Sequence, residues 1–369
     1  MKQPTKRRSL LISLGILACA LVLTFAPLPG FQQTVTVVSG TELQEVLPIL
    51  KTQFEQDHPN IKLDLKFQGS QDLVNNYIDD KNDFTPTLLI PGNVELISEL
   101  EQRWQSPTSS PAFYNTPQPI AKSLLVGVAW ADRGKILFPG GKFDWNRLEQ
   151  ALQQQNWGAI GGNANWGSFD WVMTDPERSN SGQLTLALWA QAKLGKSSLD
   201  PTDLNNPAIS SLFAVIKRSI YQPPRSTDVL LQEFISRGHN QADVATVYES
   251  VALHRWQQSA TTQGSAYQIY SIDPTLETVA TGAIVQRNVS PTTAKAAQTF
   301  LDFLTQPPQQ TRFIQYGFRP IDPAINLTTV PNSPWSQNIP GADPNPPGVT
   351  PPPDRTTLSE ILRLWQRAN

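Results

Sequence analysis

The sequence is poor in the residues that build most metal and nucleophile sites. It holds one cysteine, Cys19, and three histidines, His58, His239 and His254. A single cysteine excludes a disulfide framework and a cysteine-based zinc site, and the scattered histidines argue against a histidine-rich metal cage. Neither a Gly-x-Ser-x-Gly elbow nor a Ser-x-x-Lys motif is present, so we expect no catalysis and no metal or other cofactor.

Charge is also scarce and nearly balanced. Charged residues make up 16% of the chain, and the formal net charge is −2. These values argue against a coiled coil and against a basic nucleic-acid-binding protein. The length of 369 residues is enough for two domains with large cores.

The N-terminus has the pattern of an export segment. An apolar run from Leu10 to about Phe25 follows four basic residues, Lys2, Lys6, Arg7 and Arg8. This pattern is typical of secretory targeting, and the positive-inside rule places the rest of the chain outside the cytoplasm. We therefore expect residues 1–31 to be a signal peptide or an N-terminal membrane anchor. Cys19 lies in a loose lipobox, which leaves lipidation open.

Strand and helix patterns alternate along most of the chain. Residues 34–39, 61–67 and 87–90 are typical of strands, and helical spacing occurs between them, from Leu43 to Phe54 and over 70–80. This order predicts an α/β fold with a mostly parallel sheet. Further strands are predicted over 124–130, 169–173, 242–248, 267–272 and 280–286. Further helices are predicted over 144–155, 181–194, 208–219, 229–236, from 248 to about 257, and over 292–305 and 309–316.

Small hydroxyl residues and glycines mark several junctions between a strand and the following helix. The segments are Ser39-Gly40-Thr41, Gly69-Ser70-Gln71 and Ser179-Asn180-Ser181-Gly182. Ligands of open α/β sheets bind beyond the carboxyl ends of the strands, and helix N-termini offer free N–H groups to anions. The set predicts neutral donors around one anion or carboxylate. A serine at such a position is also an ordinary helix N-cap.

Three segments resemble a known family. The stretch from Thr174 to Gly182, with Gly167-Ser168-Phe169 before it, resembles the extracellular solute-binding proteins of bacterial ABC importers. These have the type II periplasmic binding fold and are relatives of molybdate- and sulfate-binding proteins. Val247-Tyr248-Glu249-Ser250 and the segment 316–320 are similar to further family segments. The resemblance covers roughly residues 34–325.

The resemblance implies a two-lobed fold with a central cleft. It places lobe one at 34–123 plus 259–325 and lobe two at 124–258. It implies ligand contacts at Ser39, Thr41, Ser70, Ser181 and Tyr248, and the junction motif adds Ser179 and Asn180. The expected function is capture of an oxyanion or small organic ligand in the periplasm, and its presentation to an ABC permease or another membrane protein.

The tail over 326–369 lies outside the family core. Residues 340–353 are rich in proline and predict an extended linker. A short amphipathic helix follows, with Leu358, Ile361, Leu362 and Trp365 on one face. It either packs back on the body or docks on a partner. The tail also favours an alternative function, that of a membrane-anchored interaction or sensory protein that reuses the fold without transport.

Two charged side chains near the predicted site are open to two interpretations. Arg178 could bind a ligand carboxylate in a bidentate manner, or it could be solvated at the surface. Glu249 could accept from a cationic ligand or hold the hinge, but a structural hydrogen bond is the simpler expectation.

Overall fold

The computed structural model describes residues 32–105 and 111–368. The predicted export segment, residues 1–31, lies outside the described part of the chain. Within that part, no helix combines the length and the apolar character needed to cross a bilayer.

Each strand predicted from the sequence has a counterpart. The strands are β1 (Gln33–Gly40), β2 (Ile61–Gln68), β3 (Leu88–Ile90), β4 (Gln118–Trp130), β5 (Trp171–Val172), β6 (Val244–Tyr248), β7 (Tyr267–Ser271), β8 (Thr275–Ile284) and β9 (Val349–Thr350). β4 begins six residues before the predicted start, and β8 begins five residues early. The early halves of these two strands pair with each other. They contain several polar residues, so an apolar sequence pattern did not predict them as strand.

The helices surround these strands. They are α1 (Leu47–Asp57), α2 (Ser70–Ile78), α3 (Val94–Gln105), α4 (Ala131–Leu137), α5 (Trp145–Gln154), α6 (Asn180–Leu194), α7 (Pro207–Ser219), α8 (Thr227–Arg237), α9 (Glu249–Gln263), α10 (Pro291–Leu304), α11 (Pro307–Gln315) and α12 (Arg355–Arg367). The sequence reasoning missed α3 and α4.

The first predicted helix is broken in two. Residues Thr41–Leu43 form a separate 3-10 turn, and α1 begins only at Leu47. Pro48 lies in the first turn of α1, where a missing N–H is harmless. One continuous helix from residue 43 would place this proline in its interior, where it removes a hydrogen bond.

The sheet is mixed rather than mostly parallel. Its order is β2-β1-β3-β8-β4-β6-β5, with β7 beside β4 and β9 beside β8. β1 is parallel to β2 and β3, as expected, but β8 is antiparallel to β3 and β4, and β4 is also antiparallel to β6 and β7. The prediction of a mostly parallel sheet was therefore wrong for the middle of the sheet, because β4 leaves the first half of the molecule and β8 returns to it.

Two separate hydrophobic cores divide the chain. One core contains β1 to β3 with α1 to α3 and α10, and the other contains β5 to β7 with α5 to α9. β4 passes from one to the other: it pairs with β8 as far as Leu124 and with β6 from Leu125. We call the two halves lobe one and lobe two.

The return to lobe one lies in β8. Tyr267, Ile269 and Leu276 are buried in the core of lobe two, and Ala280 is buried in that of lobe one. We therefore propose that the second boundary lies between Leu276 and Ala280 rather than at residue 259.

The C-terminal helix α12 packs on the body. Leu358, Ile361 and Trp365 are buried in the core of lobe two, so the predicted apolar face is covered within the chain. Asp354 caps the helix by accepting from the backbone N–H of Thr357 at 2.8 Å. α12 lies against α6 and α7 of lobe two and also against α3 of lobe one.

Candidate functional site

Three strand-to-helix junctions of lobe one meet at one edge of the sheet. β1, β2 and β3 are parallel neighbours, so their carboxyl ends share this edge. Gly40 precedes the 41–43 turn and Gly69 precedes α2, and Gly92 lies between β3 and α3. The Ser70 hydroxyl accepts from the Gly92 N–H at 3.0 Å and so ties the second junction to the third.

The other two predicted contacts of lobe one belong to the first junction. Ser39 is fully buried at the end of β1, and its hydroxyl donates to the Gly40 carbonyl at 3.2 Å. Thr41 is 9% exposed and opens the short turn. Ser39 is thus a structural part of the junction, while Thr41 and Ser70 stand at its rim.

The junction of lobe two is a buried hydroxyl cluster. The Ser181 Oγ lies 2.8 Å from Thr174 Oγ1, 3.2 Å from Ser179 Oγ and 2.7 Å from Thr227 Oγ1. All four side chains are nearly inaccessible. Ser179 is the N-cap of α6 by backbone conformation but makes no side-chain cap bond. Through the Ser181–Thr227 contact, the cluster holds the starts of α6 and α8 together in the interior of lobe two.

Asn180 and Tyr248 of lobe two face lobe one. The Asn180 amide donates to the Tyr248 hydroxyl at 2.8 Å. Its Oδ1 accepts from the side chain of Asn93, beyond β3 in lobe one, at 3.4 Å. Burial raises the pKa of Tyr248 well above its ordinary value, and the nearby charge of Glu42 adds to the rise. Tyr248 therefore stays neutral and keeps its proton.

Glu42 lies at the centre of the lobe-one junctions. Its carboxylate rests directly against the α-carbons of Gly40 and Gly92, where any Cβ would collide with it. The Ser70 hydroxyl lies 3.4 Å from Glu42 Oε1. Burial raises the pKa of Glu42 from 4.5 to about 7, and the charge of Asp228 in lobe two contributes.

A second charged group joins the lobes beside Glu42. Arg255 of α9 donates to Asp228 at 2.7 Å and to Glu45 of lobe one at 2.9 Å. Gln44 of lobe one donates to the same Asp228 carboxylate. Burial raises the pKa of Asp228 and lowers that of His254 nearby.

The two lobes are closed on each other. Arg178 forms a bidentate ion pair with Asp72 of α2, with an N–O distance of 2.8 Å. Gln183 donates to Gln71 at 2.8 Å. Arg178 is therefore engaged by the protein's own acid, so it is neither simply solvated nor free for a ligand carboxylate.

Only a small space remains at this boundary around Glu42. The cavity that Glu42, Asp228, Ser250 and His254 help to line has a volume of about 10 Å³. That is close to the space one water molecule needs. We use "interlobe cleft" for this boundary, from the Gly40, Gly69 and Gly92 junctions to the starts of α6, α8 and α9.

The sequence predicted Asn180 but not the acidic side chains of the cleft, nor Asn93. Glu42 directly follows the Ser39-Gly40-Thr41 motif, but that motif was interpreted as a set of neutral donors. Asn93 precedes α3, whose buried Leu96, Ile97 and Leu100 have helical spacing, so it could have been found. The Asp228–Arg255 pair had no local signal, because its members lie on separate helices.

Glu249 and Arg319 form a buried ion pair, with N–O distances of 2.7 and 2.8 Å, so the structural hydrogen bond expected for Glu249 is present. The described ranges contain no group of three or more His, Cys, Asp or Glu side chains that could hold a metal ion.

Comparisons with known proteins give one family. The model for a bacterial extracellular solute-binding protein matches residues 35–319. No curated protein matches the sequence.

Solved structures share the fold. A periplasmic thiamin binding protein has a TM-score of 0.63 and 15% identity, over 92% of this chain and 97% of its own. The sulfate-binding protein SubI from Mycobacterium tuberculosis H37Rv has a TM-score of 0.59 and 16% identity, over 89% of this chain and 96% of its own. The substrate binding protein of an ABC transporter from Agrobacterium tumefaciens has a TM-score of 0.60 and 16% identity, over 92% of this chain and 95% of its own. The predicted type II periplasmic binding fold is confirmed.

Proposed function

Because this chain belongs to the family of bacterial extracellular solute-binding proteins, the substrate receptors of ABC transporters, we propose that it captures a small molecule in the interlobe cleft and presents it to an importer in the membrane. Family membership implies an extracytoplasmic location. Residues 1–31 would carry the chain there, as a signal peptide or as an anchor that keeps it beside the permease.

One observation supports capture above the others: polar side chains from both lobes meet at a closed boundary. A ligand favours closure only if it binds the closed state more tightly than the open state. The pairs Asp72–Arg178 and Gln71–Gln183 join the lobes and already stabilise the closed state. A ligand therefore needs to supply only the rest of the free energy that favours closure. Hinge closure of this kind is a common response to ligands.

The proposed ligand contacts come from both lobes. Thr41 and Ser70 would contribute from lobe one, and Asn180 and Tyr248 from lobe two. Ser39, Ser179 and Ser181 would act one layer behind, since their hydroxyls bond only within their own junction or to Thr227, whereas Ser70 bonds to Glu42 and Asn180 bonds to Asn93 of the opposite lobe. The comparisons give no support to the alternative of a non-transporting interaction or sensory protein.

Gly69 offers a test of closure. A Cβ on Gly69 of lobe one would lie 2.5 Å from the Arg178 carbonyl oxygen and 2.8 Å from that of Arg225, both in lobe two. The backbone of Gly69 has φ −58° and ψ 139°, which alanine adopts without strain. Gly69→Ala would therefore obstruct closure while leaving each lobe intact.

The experiment is a thermal-shift screen of the purified full-length protein against sulfate, molybdate, phosphate, amino acids, amines, carboxylates and sugars. Stabilisation follows RT ln(1 + [L]/Kd), about 2.7 kcal/mol at 100 Kd. We expect at least one compound to stabilise wild type, and its effect to fall in Gly69→Ala. The control is Gly140→Ala, which meets no atom within 4 Å. An equal shift in Gly69→Ala and Gly140→Ala would place the ligand outside the cleft.

A further inference from the structure

Glu42 is a half-buried carboxyl group without a cationic partner. In the described parts of the chain, no Lys, Arg or His side chain comes within ion-pair distance of its carboxylate; its hydrogen bonds are to the Ser70 hydroxyl at 3.4 Å and to its own backbone N–H. Withdrawing a carboxylate from water without a counter-charge is costly. The closed cleft therefore carries an electrostatic penalty that a ligand could remove.

The two arginines that join the lobes are already paired. Arg255 pairs with Asp228 and Glu45, and Arg178 pairs with Asp72. Glu45 and Asp228 thus share the Arg255 guanidinium, and Glu42 has no ion pair with it. Burial lowers the pKa of His254, so this histidine does not supply the missing charge.

Glu42 also fills the place that suits an anion. Its carboxylate lies against Gly40 and Gly92, at the start of the 41–43 turn and just before α3, where helix starts present N–H groups. A free oxyanion would have to displace this carboxylate and would meet the charge of Asp228. The cleft therefore opposes the oxyanion expected from the sequence.

We propose that the ligand is an organic compound with a primary ammonium group, which pairs with the carboxylate of Glu42 between the lobes. This inference rests on the proposed capture function and names its ligand class. In the closed form, the cavity of about 10 Å³ beside Glu42 has room only for the charged end of the ligand: an ammonium group is close to a water molecule in size, whereas a trimethylammonium group is too large. The Ser226 hydroxyl at the N-cap of α8, directly before Thr227 and Asp228, is 3% exposed and has no hydrogen-bond partner among the described residues, so a polar group remains unsatisfied at the start of α8.

The test is isothermal titration of the full-length protein with putrescine, agmatine, choline, sulfate and molybdate. We expect a primary amine to bind wild type and choline to bind at least tenfold more weakly. Glu42→Gln should weaken the amine at least tenfold, about 1.4 kcal/mol. The control Glu101→Gln removes an exposed carboxylate of α3 and should leave the affinity unchanged.

Each other outcome decides the matter. Binding of sulfate or molybdate without amine binding would overturn the ligand class and leave the capture function standing. If only Glu42→Gln binds sulfate or molybdate, the Glu42 carboxylate occupies an anion site in wild type, and the proposal of a cationic ligand is overturned. If none of the probes binds wild type or Glu42→Gln, the inference is overturned. A compound that stabilises the protein in the wider thermal-shift screen would still support the capture function.

Discussion

Arg355 of the C-terminal helix lies 2.9 Å from the carboxylate of Glu99 in lobe one. Both side chains are nearly buried, at 11% and 6% exposed. The same carboxylate accepts from Gln71 at 3.0 Å, and Gln71 in turn accepts from Gln183 of lobe two at 2.8 Å. Because the apolar face of α12 is buried in lobe two, this helix joins the two lobes behind the cleft and favours the closed form.

The first prediction concerns this junction. Arg355→Gln should destabilise the protein by about 2 kcal/mol, below the 3–5 kcal/mol typical of a broken buried pair, because Arg103 still contacts Glu99 at 3.0 Å. The lobes should also open more readily, which small-angle scattering would detect as a larger radius of gyration. Arg363→Gln is the control, since the ion pair that Arg363 forms in the described part of the chain lies within α12, with Glu360. Equal stability and size of the two variants would contradict the coupling of α12 to closure.

The second prediction separates folding from ligand contact at Ser181. Ser181→Ala removes the shared partner of Thr174 and Thr227, two buried hydroxyls, and should cost about 1–3 kcal/mol. Ser179→Ala should cost less, because the Ser179 hydroxyl has only the 3.2 Å contact with Ser181. Urea unfolding of the two variants measures the difference. Unchanged stability of Ser181→Ala would show that its hydroxyl is free for a ligand.

The third prediction concerns the buried pair Glu249–Arg319. The backbones of Arg319 and Lys122 bond to each other at 2.8 Å, close to the point where β4 crosses between the lobes, which we call the hinge. Glu249→Gln leaves the Arg319 guanidinium without its carboxylate partner and should destabilise the protein by about 3–5 kcal/mol. Arg319 also donates to the carbonyls of Asp343 and Pro344 at 2.6 and 2.9 Å, so the tail linker should loosen as well. Limited proteolysis near residue 343 checks this effect. If the linker stays protected while stability falls, the pair acts on the hinge alone.

The sequence predicted the strands and the junctions that follow them because both have local signals. The pattern of β1 and β2, with a glycine and a hydroxyl residue after each, is contiguous in the chain. The start predicted for α5 at residue 144 also has a local signal, since Asp144 is the N-cap and accepts from the N–H groups of Asn146 and Arg147. Signals of this kind lie in contiguous residues and do not depend on the tertiary structure.

The sequence could not predict pairings made across lobes. Glu45 and Arg255 are 210 residues apart, and Asp72 and Arg178 are 106 apart. Neither partner has a pattern that marks the other, so Arg178 was interpreted as either ligand-binding or solvated. The mixed sheet was missed for a related reason, since the direction of β8 depends on where the chain returns to lobe one.

The last prediction follows from the pKa of Glu42, which burial and the charge of Asp228 raise from 4.5 to about 7. Between pH 4.5 and 7 the folded protein holds a proton that the unfolded chain has released, so stability falls as the pH rises through this window, and the full penalty is present above pH 7. Glu42→Gln cannot ionise and escapes the penalty. Its stability relative to wild type should therefore rise from pH 5 to pH 8, by about 1–3 kcal/mol at 1.36 kcal/mol per unit of pKa.

Urea unfolding of wild type and Glu42→Gln at pH 5, 6, 7 and 8 measures this difference. The same polar and charged groups lie around Glu42 in both proteins, so subtracting the two curves isolates the carboxylate and its coupling to them. These groups are Asp228, Tyr248, His254, Glu45 and Arg255. Glu101→Gln should give a flat difference, because its side chain is exposed. A flat difference for Glu42→Gln as well would mean that the carboxylate is solvated, and the cleft would then carry no penalty for a ligand to relieve.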